Sequence, residues 1–584
     1  MSQLPDYVAS AKPNPTDKRA PWLTTTAATY AGIMLWFVFW SGLPSGGGTN
    51  FAAGVLSQGL LFALMSLVIA ACICYLCFYH VPGMLGMKTG LPLYIVGTST
   101  YGVNGGFLMP GFLMGCLQFG WLSVNGYFAG LGFACFIKGA ATLEEVVAVT
   151  GSPLHLGIGV GWAIVAAFIG LKGIKYVGMV ASYLPIIPIV VLLYLFACTV
   201  GGIFDFNPKK ATGAGDVPKV FASVNFGEDL GTATDDDMQG GEQTAMNVEE
   251  EATANESETP MIAAEVSVGE EIVETNTGGG DKKVVLPKPR NDSNFFSTFL
   301  SVLWEGNWRT SDDADLQTTK TVGLYGKGTL GSLAGQLGVL SLICAYVVGF
   351  FATAGAAGCD FGSNNKDRTA VIFGGLVGIA GATIFTGAIA LIAVAGAQGL
   401  GLENAGLNPY ESMKVLVGSE VGGWFMILLA IAAFPAACFS SLIAANSFKA
   451  TLPKTNPFVS CGIGTAIACL LIVTGFAGQA GAVFTLIGAS FGPVCGAMAA
   501  DYLLSDKKWA GPRQGYNLAG WFSWIIGFFV GGITLFVEGF LGGKMPVEIP
   551  CPPVSAFVIG FVLYYFFAKM GLESKKLDMP QRID

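Results

Sequence analysis

The feature that most constrains this chain is a series of twelve apolar stretches, near residues 27–43, 53–79, 108–137, 157–171, 177–203, 331–357, 370–397, 417–446, 457–477, 481–503, 517–541 and 553–570. A hydrocarbon layer takes about 20 residues of helix to cross, and inside it every backbone N–H and C=O must find a partner within the protein. The short fourth and last stretches gain length from flanking residues. The pattern therefore predicts an all-α integral membrane protein with twelve transmembrane helices. Composition agrees: only 12% of the 584 residues are charged and mean hydropathy is +0.60, whereas a soluble domain is roughly 25% charged.

Lys and Arg in the short connections orient such a protein. With the N-terminus inside, the inner connections and tails hold seventeen of them, and the outer short loops hold only Lys138, Lys414 and Lys544. Both termini are expected in the cytoplasm and the body in the plasma (inner) membrane. The expected organisation is a tail over 1–22, spans 1–5 over 23–203, an extracytoplasmic insert over 204–328, spans 6–10 over 329–503, spans 11–12 with their preceding loop over 504–570, and a tail over 571–584. The insert holds 23 of the 39 acidic and 10 of the 30 basic side chains. Its middle has few aromatics and cannot bury enough apolar surface to offset its ordering entropy, so disorder is expected there. The run NFFSTFLSVLWEGNW predicts a short surface helix over 294–308.

His80 and His155 are too few and too far apart for a His-rich metal site or a Ser-His-Asp triad. The 13 cysteines lie almost entirely in apolar runs, so Cys74-x-x-Cys77 reads as helix packing and no disulfides are expected. Enzymatic chemistry, an organic cofactor and a nucleic-acid partner are not expected. The partners expected are the lipid bilayer, a small molecule and a coupling cation.

Two spans do not look like simple anchors. Span 1 runs through Trp40 into Ser-Gly-Leu-Pro-Ser-Gly, and span 6 carries Gly349, Gly355 and Gly358. Backbone freed from helical bonding at membrane depth lines a cavity or is buried in protein, and a matched pair of broken spans points to a transporter binding site. Spans 1 and 6 are five apart, the spacing of two five-helix inverted repeats followed by two more spans. In span 3, Gln118, Trp121 and Asn125 stand at i, i+3 and i+7 on one helical face. An indole for stacking beside two amides suits a flat heteroaromatic ligand.

At these residues the chain resembles the nucleobase-cation symporter family, particularly its cytosine and purine permeases. The likeness runs through MKTGLPLYIVGTSTYGVNGGFLMP and GCLQFGWLSVNGYFAG, then GLKGIKYVGMV, GCDFGSNNKDR and FGPVCGAMAADYLL, in order and in place. The resemblance implies a broken-helix, five-plus-five transporter importing a nucleobase or related heterocycle of the cytosine, purine, hydantoin or allantoin type by cation symport. It implies a base stacked on Trp121 and bonded to Gln118, with Gly349 and Phe351 from span 6 and Phe39 and Trp40 from span 1 as further walls. Asp360 matches the Asp of the family's Asp-Phe-Gly-Arg, with Ser363 in place of the Arg. Span 8 departs further, with Phe434, Pro435 and Ala436 where the family carries Asn and Thr. Ser440 and Ser441 remain as cation ligands, and Glu420 is the alternative as a proton carrier, so sodium and proton coupling both stay open. A rival reading is a transport-inactive sensor or scaffold that displays the insert; a channel fits a stacking Trp less well.

Overall fold

The computed structural model describes residues 4–21, 38–45, 54–173, 176–177, 180, 184, 186–206, 333–402, 408–452, 454–541 and 549–579. The acidic segment 207–332, with its expected disorder and its helix over 294–308, lies outside these residues, as does most of span 1.

Among the described residues ten helices are long and apolar enough to cross a membrane: Leu60–Thr89, Phe107–Lys138, Pro153–Leu171, Ile186–Phe204, Gly335–Ala356, Arg368–Leu402, Ser419–Lys449, Ala480–Leu504, Leu518–Val537 and Pro552–Lys569. They are spans 2 to 8 and 10 to 12. Span 9 is a shorter apolar helix, Pro457–Val473, and span 1 is described as a helical piece over Val38–Ser45. Among the described residues two isolated bridges stand in place of any β-strand. The molecule is an all-helical, multi-pass membrane protein.

Local chemistry sets the helix ends. Ser152 accepts from the His155 N–H at 3.3 Å, with Pro153 in the first turn of span 4. Asn456 accepts from Phe458 N at 3.0 Å ahead of Pro457. Both pairings give a partner to, or remove, an N–H that the first turn would leave unbonded. Spans 2 and 3 stop at Gly90 (φ 67°) and Gly139 (φ 69°), in the left-handed region that glycine enters without strain.

The interruptions are gentler than the glycine pattern suggests. In span 6 the helix widens to a π-segment over Cys344–Val348 and continues through Gly349 at φ −57° and ψ −46°. The kink comes later, at Ala357, before a short helix over Gly358–Gly362. Span 1 carries a π-segment of its own, Val38–Gly42. In span 8, Ala433 (ψ −14°) separates Ser419–Ala432 from Phe434–Thr451, where Pro435 lacks the N–H that Ile431 would otherwise bond.

Two cores organise the spans. The smaller unites spans 3, 4, 8 and 9 through Phe119, Tyr127, Ala163, Ala167, Cys438 and Ala468. Its seams are made of small residues: a Cβ on Gly170 of span 4 would lie 2.6 Å from the Cys438 carbonyl of span 8. The larger core takes in spans 1, 2, 6, 7, 10 and 12 together with residues of spans 3, 5 and 8 such as Met114, Leu131, Leu192 and Met426. Since lipid is as apolar as leucine, such helices associate through close packing and hydrogen bonds. The first group is called the scaffold below, and spans 1, 2, 6 and 7 the bundle.

At the end of the molecule where residues 4–21 and 571–579 pack, a buried polar collar replaces apolar packing. Arg513, fully buried between spans 10 and 11, donates to Asp501 at 2.9 Å, to the Tyr564 hydroxyl at 3.1 Å, to the Ser99 carbonyl and to Glu573 at 2.6 Å. Burial alone would lower its pKa, but Asp501, Tyr564 and Glu573 together hold the guanidinium above its ordinary value. The other Asp501 oxygen accepts from Ser99 at 2.6 Å and Thr100 at 3.2 Å. The two tails are not loose at this end. Residues 4–21 and 571–579 dock on the connections, with Val8 fully buried.

Candidate substrate site

Trp121 lies halfway along span 3, half-buried. Phe350 of span 6 meets it edge-on, ring centroids 4.5 Å apart at 75°, and Phe484 of span 10 leans against it at 4.8 Å and 32°. Its indole Nε1 donates to the Thr353 hydroxyl at 3.2 Å. Tyr346 closes a further side, 5.9 Å from Phe484, and a Cβ on Gly42 of span 1 would lie 3.6 Å from the Tyr346 ring. Four aromatic rings from spans 3, 6 and 10 thus form a box with span 1 at its edge. Such rings offer faces for stacking and edges for T-shaped contact. Gln118, one turn earlier on span 3, is buried, with Nε2 3.5 Å from the Met114 thioether. Sulfur is a weak acceptor, so this amide is held only lightly.

The expected residues take different positions around this box. Gly349 is fully buried, and a Cβ there would lie 2.6 Å from the Phe484 carbonyl. Its small size brings span 10 against span 6 and so sets Phe484 beside Trp121. The ring at Trp121 is Phe350 rather than Phe351. Phe351 is buried in the larger core and touches Phe350 at 5.1 Å. Phe39 is buried against span 7, where a Cβ on Gly387 would lie 3.1 Å from its ring. Trp40 is fully buried, and among the described residues its Nε1 has no hydrogen-bond partner.

Asn125 lies one turn beyond Trp121 and is engaged twice within the protein. Its Nδ2 donates to the Ala433 carbonyl at 2.8 Å, and its Oδ1 accepts from Trp162 Nε1 at 3.1 Å. It thus satisfies a carbonyl at the span 8 break, which at membrane depth would otherwise be left unbonded.

Ser440 and Ser441 lie in the second half of span 8. Their hydroxyls donate to Ala436 O at 3.2 Å and Ala437 O at 3.5 Å, which leaves oxygen lone pairs free to accept. Glu420 is exposed in the first turn of span 8. With Lys414, Phe136 and Trp424 it lines a surface cleft of about 280 Å³. Asp360, just past span 6, accepts from Leu93 N at 3.0 Å. Burial pushes its carboxyl up to about 6, and the Leu93 bond offsets this only in part. Ser363, where the related motif has Arg, donates to Asp360's own carbonyl at 2.8 Å.

Phe350, Thr353, Tyr346 and Phe484 had no place in the sequence reading. Thr353 stands three residues beyond Phe350, on the same helical face, which was a usable signal. Phe484 had none, because only the approach of span 10 to Gly349 brings it in.

No protein-family model and no curated protein matches the chain by sequence. Solved structures do match. Mhp1, a nucleobase-cation-symport-1 family transporter, in a closed conformation with bromovinylhydantoin bound, is 12% identical over 97% of this chain and 97% of its own, with a TM-score of 0.54. Its inward-facing conformation is 12% identical over 97% and 95%, with a TM-score of 0.52. At that identity the likeness concerns architecture: this membrane protein has the fold of the Mhp1 transporter.

Proposed function

We propose that this chain is a secondary transporter that carries a small flat heterocycle, of nucleobase or hydantoin type, together with a cation by alternating access. The observation that carries the proposal is the Trp121 box, because it is built where span 3 meets spans 6 and 10. Trp121 and Gln118 come from the scaffold, whereas Phe350, Thr353 and Tyr346 come from the bundle. A ligand held there touches both groups, so it binds some relative arrangements better than others, as coupling between binding and movement requires. Trp121 stacks on the ring, Gln118 answers its polar edge, and the free N–H of Trp40 is a further donor. Phe350 swings aside to admit the ligand. Asn125 positions span 8.

For the cation, Ser440 and Ser441 are better candidates than Glu420, since a carboxylate already in water at the end of a span gains nothing by carrying a proton inward. In this reading both termini are cytoplasmic and the acidic insert lies outside. One observation favours the rival reading of a sensor that binds without transporting: Phe350 and Phe484 already cover Trp121. Uptake into proteoliposomes of radiolabelled cytosine, uracil, hypoxanthine, hydantoin and allantoin separates the two. We expect at least one to accumulate under a cation gradient, and to stop when choline replaces sodium at fixed pH. Uptake that persists in choline and collapses with a protonophore returns the role to a proton. Binding without uptake would make the protein a sensor.

A further inference from the structure

The N-terminal segment Leu4–Pro21 has its two ends on two different groups of spans. At one end the Tyr7 ring meets Phe107 at 5.8 Å and Tyr94 at 6.4 Å, and its hydroxyl donates to the Val103 carbonyl. Phe107 opens span 3 of the scaffold, while Tyr94 and Val103 belong to the 2–3 connection, which Leu93 N ties to Asp360 at 3.0 Å and Val103 N ties to Arg513 O at 2.8 Å. The Ser447 hydroxyl of span 8 donates to Gly111, and a Cβ on Gly111 would lie 2.9 Å from Thr451 and 3.3 Å from Tyr94. At the other end Asn14, Arg19 and Ala20 bond to the bundle. Asn14 donates through Nδ2 to Ser363 O at 3.1 Å and Asn364 at 2.9 Å, and through its backbone to Gly90 O at 2.8 Å. Arg19 donates to Met87 O at 2.5 Å and to Asn14 O at 2.8 and 3.0 Å. Ala20 pairs with the 6–7 connection through Asn364 O and Lys366 N, at 2.9 and 3.1 Å. Spans 2 and 6 are a single packed unit here, since a Cβ on Gly86 would overlap the Cys359 carbonyl.

The two attachments are unequal. The bundle end holds through a continuous run of hydrogen bonds. The Tyr7 end holds through one ring and one hydroxyl, with Val8 buried beside it in the larger core, and most residues between are exposed. Local opening is easiest where buried contacts are few.

We propose that Leu4–Pro21 is a strap that latches bundle to scaffold at the collar end of the molecule, with Tyr7 as its releasable foot. The proposal rests on the reading above that the two groups move against each other. When they part at this end, Tyr7 leaves Phe107, Tyr94 and Val103, while Asn14, Arg19 and Ala20 stay with spans 2 and 6. The contrast with the Arg513 collar is chemical. The collar is an ion-paired joint, whereas the strap is held by uncharged acceptors and two aromatic contacts, which can break and re-form without leaving a charge buried.

Hydrogen exchange of the full chain in lipid nanodiscs tests this without any substrate. In Tyr7→Ala, amides of residues 4–9 and of the connection over 93–106 exchange about tenfold faster or more, while 14–21 keep their native rates. Tyr7→Phe, which keeps the ring and loses the donor, falls between. If 4–9 and 14–21 loosen together, or if the connection is unchanged when Tyr7 is removed, the segment is a fixed brace and the proposal is wrong. A companion measurement isolates the transport reading: in vesicles that accumulate substrate, Tyr7→Ala raises the rate of exit toward the tail side. Absence of transport in the native protein would defeat the proposed function but leave the exchange result to judge the latch.

Discussion

The scaffold and the larger core differ in how they are held together. Span 4 of the scaffold is only 33% buried over its most apolar window, whereas span 6 is 78% and span 10 is 89% buried over theirs. Span 4 faces lipid broadly, the scaffold helices meet through glycine, alanine and cysteine, and the Asn125 bridge to Ala433 and Trp162 pins the break in span 8. The larger core surrounds its central helices on all sides with aromatic rings and ends in the ion-paired collar. Where the two meet at Trp121, the bond across the junction is one neutral donation to Thr353. Helices in lipid gain little from hydrophobic burial against one another, so a junction with few bonds can slide while each group keeps its shape.

The hardest blow to this contrast is Arg513→Ala. It strips the partner from Asp501 in a buried site, for which about 3–5 kcal/mol is typical. We expect loss of monodisperse protein in size-exclusion chromatography, with Asp501→Ala equally harmful. A stable Arg513→Ala protein would mean that the collar does not hold the larger core.

A smaller effect tests the scaffold. Gly170→Leu forces a side chain into the contact with Cys438 and Ser441 and should cost about 1–3 kcal/mol, read as a lower midpoint in a thermal-shift assay. An unchanged midpoint would show that spans 4 and 8 have slack.

Much of this architecture was legible in the sequence. Apolar length located ten membrane-long helices and the shorter Pro457–Val473, most within several residues, although span 2 runs to Thr89, ten residues past the expected end at 79, and Trp121 with Gln118 stood out by spacing and motif. The choice of Phe350 over Phe351 was not legible, because neighbouring helical residues point about 100° apart and the π-segment Cys344–Val348 widens the turn ahead of both. Nor was Asn125's engagement with Ala433, since an amide on the right face looks the same whether it awaits a ligand or a broken neighbouring helix. The docked tail was hidden for a similar reason. Residues 4–21 are polar by composition, and Tyr7 gains its partners from the 2–3 connection and the start of span 3.

A subtler test concerns Asp360 at the bundle's end. Its folded pKa, about 6, lies above the ordinary carboxylate value. Protonation therefore favours the folded state, and this contribution, full below about pH 4, is lost as pH rises through 6. Asp360→Asn keeps the acceptor for Leu93 and removes the charge. We expect it to be more stable than the native protein at pH 7.5 by about 1–2 kcal/mol, a gap that closes by pH 4. A gap independent of pH would rule out the titration of Asp360 as its cause.

The account stands or falls on Trp121 as the surface that holds the ligand between the two groups. Equilibrium binding of whichever radiolabelled heterocycle the native protein takes up, measured on purified native, Trp121→Ala and Phe351→Ala proteins, addresses it directly. Stacking a ring on an aromatic side chain contributes roughly 1–3 kcal/mol. Trp121→Ala should therefore weaken binding about tenfold or more with an unchanged chromatographic profile, and Phe351→Ala, if it folds, should weaken it far less. Binding by Trp121→Ala within about twofold of the native protein would contradict the account.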